Sequence, residues 1–161
     1  MSNPRDLFLQ LLGELLWTER TLAFETLPEL ERQARAEGLV GVLREHLEET
    51  KEHAVRLEQV FRAVGAEPSS NLCPPVEKLA EHHDRLAGSI PAERLADVFH
   101  AAAAATTEHH ELAAYETLLA LAPAVDLDGE ARGLLERSRD EEARALERLQ
   151  GALRDLVGAL D

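Results

Sequence analysis

A-A-A-A-A-T-T-E-H-H-E-L-A-A-Y-E-T-L-L-A-L, Ala101 to Leu121, is dominated by strong helix formers and reads as one long helix. Its flanks belong to a buried helix, yet its midpoint holds Glu108, His109, His110 and Glu111 in a row. Whatever the fold is, it has to account for those four ionisable groups.

Outward from this stretch the chain stays helical, because β-branched residues never cluster in alternation. Breaks fall at Ala36 to Gly38, Gly65 to Pro75, Gly88 to Pro91 and Ala122 to Gly129. They predict long helices over 4–35, 39–64, 91–121 and 130–158, with a shorter one over 76–87. Pro28 should kink or restart the first helix, and Pro91 suits the first turn of the third long one. Short links make helices 1 and 2, and 3 and 4, antiparallel neighbours. The segment of about 26 residues between helices 2 and 3 is long enough to cross the bundle. The expected architecture is all-α: a single ferritin-like four-helix domain over 1–161, with one crossover carrying the short helix.

Each long helix has an apolar seam at three-to-four spacing, interrupted once near its middle by Glu19, Thr50, Glu108 or Glu142. His53 lies a turn from Thr50, about 60° off the seam, with Glu49 close by. Midpoints of antiparallel helices meet at one level, so three carboxylates converge there. Like charges in a low-dielectric core raise one another's pKa, and each unpaired charge costs several kcal/mol, roughly. The only arginine near that level, Arg144, points elsewhere. A bound cation relieves the conflict, and inward Glu and His on facing helices build dinuclear iron and manganese sites. Glu108, with Glu111 one turn on, is therefore read as holding metal. Taken singly the residues have plainer roles: Glu19 as a solvated residue, Glu111 and Glu116 as an exposed face, and Tyr115 as core or as a hydrogen-bond donor to a ligand carboxylate. At most one of His109 and His110 can face inward, and His82 and His83 suit surface or crossover packing.

With 161 residues, the chain can bury one real core. A net charge of −14 disfavours nucleic acid and anionic membranes as partners. One cysteine and no apolar run approaching the length of a membrane span point to a cytoplasmic protein. Nothing supports nucleophilic catalysis, since Cys73 has no histidine near it in sequence, and there is no phosphate loop or paired-cysteine motif.

The blocks His46 to Phe61, Glu108 to Leu118 and Arg139 to Leu149 resemble the YciF/YciE family of bacterial ferritin-like proteins. So do Leu16 to Leu22, the proline six residues on, and the cysteine after helix 2. The resemblance runs from about residue 5 to 155 in order and spacing. It implies a rubrerythrin-like bundle with a crossover, a homodimer, an association with stress responses and a poorly defined activity. It also implies a ligand set of Glu19, Glu49, His53, Glu108, Glu111 and Glu142 around two metal ions, iron first, with manganese or zinc as alternatives. The chain departs from the fuller pattern in having Ala145 three residues after Glu142 and Leu146 where relatives often carry aspartate. One of the two metals is thus expected to be weakly held.

Three readings follow. The first is a metal-dependent protein handling ferrous iron with oxygen or peroxide. The second is a non-catalytic bundle with a degenerate site, acting through an interface. An iron-storing cage ranks last, because the chain stops at helix 4. Trp17, Phe24 and Phe99 fall outside the core seams and suggest the homodimer face.

Overall fold

A computed structural model describes residues 1–160 and shows helices joined by turns. The helices are α1 (Pro4–Thr21), α2 (Leu27–Gln33), α3 (Glu37–Ala63), α4 (Pro74–Ala87), α5 (Glu93–Leu121) and α6 (Gly129–Gly158). Side-chain caps set two of the starts. Asn3 accepts the Asp6 N–H at 2.9 Å ahead of Pro4, and Asp128 accepts the Ala131 N–H at 2.8 Å. The end of α3 is set by Gly65, whose φ of 68° belongs to the left-handed region. Its N–H and that of Ala66 return to Arg62 O and Phe61 O, each at 3.0 Å, closing the helix.

The first predicted helix is interrupted at Pro28 as expected, α2 beginning at Leu27 with Pro28 in its first turn. Leu22–Thr26 forms a π-helical turn between α1 and α2, in which the Leu27 N–H bonds to Leu22 O. Pro28 cannot donate to the ladder and its ring crowds the carbonyl one turn back, so widening the preceding turn accommodates it. Pro91 is displaced from its expected place. It precedes Ala92, the residue that caps α5, and Pro74 takes the first-turn position of α4 instead.

Two apolar clusters fix the topology. One joins Phe8 to Leu16 with Ala54 to Phe61, Tyr115, Leu118, Ala131 and Leu135. The other joins Leu22 to Ala34 with Leu39 to Leu47, Ala101 to Ala105, Leu146 and Leu149. The start of α1 and the start of α6 therefore share an end with the finish of α3 and of α5. Helices α3 and α5 run parallel, so residues 64–92 must return along the whole bundle, as the ferritin-like crossover requires. Neighbouring long helices are α1 with α3, α3 with α6, α6 with α5, and α5 with α1. The crossover passes close over α1. Asn71 N–H donates to Gly13 O at 3.0 Å, and a Cβ on Gly13 would stand 2.3 Å from Asn71 Nδ2. No helix among the described residues is long and apolar enough to cross a membrane.

Between the two clusters lies a polar layer. Glu19, His46, Thr50, His53, Glu108, Glu111, Ser138 and Glu142 are all buried, none more than 1% exposed.

Candidate metal centre

Each long helix contributes to the layer at the level where its apolar seam is interrupted. Helix α1 supplies Glu19, α3 supplies His46 and His53, α5 supplies Glu108 and Glu111, and α6 supplies Glu142. The side chains gather into two groups. In one, ligand atoms of His46, Glu108, Glu111 and Glu142 lie within 4.8 Å of one another; in the other, those of Glu19, His53 and Glu142 do. Glu142 belongs to both.

The distances are those of groups facing a common point. His46 Nε2 is 3.0 Å from Glu108 Oε1 and 3.8 Å from Glu142 Oε2. His53 Nδ1 is 2.7 Å from Glu142 Oε1, without the alignment of a hydrogen bond, and 3.5 Å from Glu19 Oε2. Tyr115 donates to Glu19 Oε1. Both oxygens of Glu111 and of Glu142, Oε2 of Glu19, Oε2 of Glu108 and Nδ1 of His53 have no hydrogen-bond partner. Leaving a buried polar atom unpaired costs about 1–3 kcal/mol, more when it is charged. So many orphaned donors of electron pairs at one place fit a cation. Oxygen with imidazole nitrogen suits iron, manganese or zinc.

Without the ion, protons compensate. Burial and then the neighbouring Glu108 push Glu142 up to about 8. Burial, reinforced by Glu142, Glu19 and Glu108, raises Glu111 well above the carboxylate range. Glu19 is raised by burial and by Glu142, against the pull of His53. Burial acts against the charge on His53, yet Glu19 and Glu142 lift it to about 11. His46 is raised well above its usual value in the same way, burial being outweighed by Glu108. Glu108 alone goes down, because His46 outweighs its burial.

Of the expected ligands, Glu19, His53, Glu108, Glu111 and Glu142 come together and Glu49 does not. Glu49 lies behind His46, with Oε2 3.8 Å from Nδ1, and Arg148 holds it at 2.6 Å. Thr50 faces the layer, but its hydroxyl donates to His46 O at 2.8 Å. The residue that sequence reasoning missed is His46, seven positions before His53 and so on nearly the same face of α3. That spacing was the available signal. Four glutamates and two histidines make the same donor count as the dinuclear bundle pattern, with both histidines drawn from one helix.

A carboxylate stands behind each histidine. Glu141 Oε2 is 2.9 Å from His53 Nε2, and Arg56 pairs with Glu141. Arg56 and Arg148 thus reach the rim of the layer, where the sequence reading expected no arginine. Arg144 is exposed, as anticipated. The Glu141 pair fixes which nitrogen of His53 faces the centre, whereas His46 Nδ1, 3.8 Å from Glu49, has no hydrogen-bond partner. Among the remaining histidines, His109 is exposed and His83 packs the crossover, stacked on Phe99 and 2.8 Å from His100. His82 is exposed. His110 Nε2 is 3.5 Å from Cys73 Sγ, a proximity invisible in the sequence, with the thiol buried in the crossover.

A family described as a domain of unknown function, DUF892, matches residues 3–159. Protein YciF of Escherichia coli strain K12 is 32% identical over 149 residues, covering 89% of this chain and 86% of the relative. The crystal structure of the E. coli stress protein YciF superimposes with a TM-score of 0.91 at 28% identity, covering 98% of this chain and 99% of that one. YcfI from Rhodopseudomonas palustris, described as a proposed structural protein, gives a TM-score of 0.89 at 33% identity over 93% and 94% of the two chains.

Proposed function

Because the chain belongs to the DUF892, YciF-type family of helical-bundle proteins, we propose that it is a stress-associated protein that holds two metal ions in its polar layer. Iron is the first choice and manganese or zinc the alternatives, and the centre handles ferrous iron with oxygen or peroxide. The observation that carries this reading is Glu142, one carboxylate shared by two groups of potential ligands. A glutamate with one oxygen toward His46 and the other toward His53 is placed to bridge. When bound, such ions supply Lewis acidity and one-electron chemistry in a site shielded from water. The protein's own contribution is to orient and to hold protons. Tyr115 fixes Glu19, while Glu141 sets the tautomer of His53. His46 and His53 keep protons in the metal-free state that a cation displaces.

The test is to load metal-free protein anaerobically with ferrous iron, desalt it and count metal by mass spectrometry. About two ions per chain are expected, falling close to zero for Glu142→Ala, with an absorbance change when oxygen or peroxide is admitted. Metal near zero in the native chain would sink the reading. The alternative of a degenerate, non-catalytic bundle leaned on the absent histidine of helix 4, and His46 supplies that donor. A homodimer belongs to the same proposal. Phe24, on the π-helical turn, is 70% exposed and offers an apolar contact for a second copy.

A further inference from the structure

Of the 14 residues of α4 only Val76 and His83 are buried, and the helix packs mainly on α5. Non-helical links, 64–73 and 88–92, flank it on both sides. An element with so few buried contacts opens locally well before the rest of a fold unfolds. What holds α4 in place therefore decides what it covers. One side of a cavity of about 540 Å³ is α4, with Val76 and Leu79, and its floor is α5 from Phe99 to Glu108.

One of the two buried side chains of α4 is polar. His83 Nε2 lies 2.8 Å from His100 Nδ1 of α5, and the two residues are 9% and 4% exposed. The His83 ring is also stacked on Phe99, with 5.3 Å between centroids. A hydrogen bond between two imidazole nitrogens needs one N–H and one bare lone pair. The pair therefore holds one extra proton at most. A second would set two N–H groups and two positive charges face to face, where burial leaves little water to screen them. We propose that this pair is an acid-sensitive latch: protonation of both histidines releases α4 from α5 and uncovers the flank of the bundle that bears Glu108. Neither histidine belongs to a group of potential metal ligands, so the latch is independent of the metal reading.

The charged groups around the pair do not rescue its doubly protonated form. On α4, Asp84 Oδ1 is 3.3 Å from His83 Nδ1, but the Asp84 side chain is 80% exposed and so screened by water. His82, next along, is exposed and has Arg85 at 3.4 Å. On α5, Asp97 lies one turn before His100, with its carboxylate taken by the N–H groups of Arg35 and Ala36 at 3.0 and 2.7 Å. From the α2 side, Glu29, Arg32 and Arg35 share with His100 a second cavity of about 530 Å³, and Glu29 is paired with Arg32. Glu25 of the π-helical turn faces the larger cavity that His83 also lines. Burial and then His83 hold His100 below the ordinary histidine value, against the pull of Asp97. A histidine held down in this way stabilises the closed state fully above pH 6.5, and this is lost as pH falls through the lowered value.

The test is amide hydrogen exchange of the EDTA-treated full chain at pH 6.5 and 5.5, corrected for the intrinsic pH dependence of exchange. Protection of the α4 amides should fall by up to about five-fold, the factor that one ordinary histidine taking up its proton on opening supplies over that pH unit. Protection of α3 and α6 should not fall with it. Global unfolding cannot mimic this pattern, because the raised Glu142 stabilises the folded bundle further as pH drops toward 4.5. His100→Asn puts an uncharged amide where Nδ1 lies, and His83→Gln puts one where Nε2 lies. Each should keep α4 protected at both pH values, and the second serves if the first folds poorly. His110 meets the other end of α4 at Cys73, so His110→Gln is the control and should keep the response. Protection of α4 that stays level, or that falls together with α3 and α6, would overturn the proposal. So would a response that survives in both pair variants or vanishes in His110→Gln.

Discussion

Raising the pH should destabilise the metal-free protein, and the polar layer gives the slope. A group whose folded pKa is raised holds its proton after the unfolded chain has released it. Its stabilisation is then complete below the unfolded pKa and is lost as pH climbs toward the folded value. Glu142, moved from 4.5 to about 8, loses stabilisation across that interval. His53, moved from 6.5 to about 11, starts losing it at 6.5. Between pH 6.5 and 8 both act together, and His46 and Glu111 add the same sign. The groups shifted the other way are silent in this window. Glu49, Glu108 and Glu141 have lowered pKa values and finish titrating near 4.5, while the lowered His100 and His110 have no further effect above 6.5.

Each retained proton is worth about 1.4 kcal/mol per pH unit. Glu142 and His53 alone, partly titrated at both ends of this window, give a loss of about 3 kcal/mol, to which His46 and Glu111 add. For a chain of this length that is about 6–12 °C in Tm. Calorimetric melts of EDTA-treated protein at pH 6.5 and 8 measure it directly. Glu142→Gln should remove Glu142's share of the slope and leave that of the histidines, because the amide mimics the protonated acid at every pH. A Tm that stays level or rises between the two values would refute the reasoning, since it would mean that the layer does not hold these protons. Metal should reverse the dependence: ligands must lose protons to bind, so the ion's effect on Tm should grow with pH.

Other expectations follow from the same geometry. His46→Ala should halve the metal count, leaving the group of Glu19, His53 and Glu142 intact, as mass spectrometry of reloaded protein would show. Glu141→Ala keeps every member of both groups but loosens His53, and should lower metal affinity by about 10–100-fold in a competition assay with a chelator. Leu57→Ala, at a fully buried position of the first apolar cluster, should cost about 2–5 kcal/mol in urea unfolding without changing the metal count. Light scattering should give the mass of two chains, and Phe24→Asp should shift it toward one.

The fold was legible because helix periodicity, the breaks at Gly38, Gly65, Gly88 and Gly129, and loop length all act locally. The level of Glu19, Glu108 and Glu142 was legible for the same reason, each being a single break in an apolar seam. What was missed depends on small rotations or on distant contacts. Glu49 and His46 differ by less than one turn of α3, and their choice between centre and rim is decided by Arg148, 99 residues from Glu49. The π-helical turn was hidden because Pro28 marks a disturbance without saying which side of it absorbs the strain. Cys73 and His110 meet only because the crossover returns along the bundle.

Drawing both histidines from one helix has a chemical consequence. His46 turns Nε2 inward, with Glu49 3.8 Å from its Nδ1, whereas His53 is held by Glu141 at Nε2 and turns Nδ1 inward. The two rings therefore approach Glu142 from positions two turns apart on α3 through different nitrogens, one toward each of its oxygens. Each backing carboxylate is in turn held by an arginine across the α3–α6 interface: Arg148 of α6 holds Glu49 of α3, and Arg56 of α3 holds Glu141 of α6. Ala145 is then no loss. Ala145 is fully buried, so a histidine there would add a third imidazole beside a layer that already holds two. The sequence feature that looks like degeneration fits a centre whose nitrogen donors sit on α3 and whose braces alternate between α3 and α6.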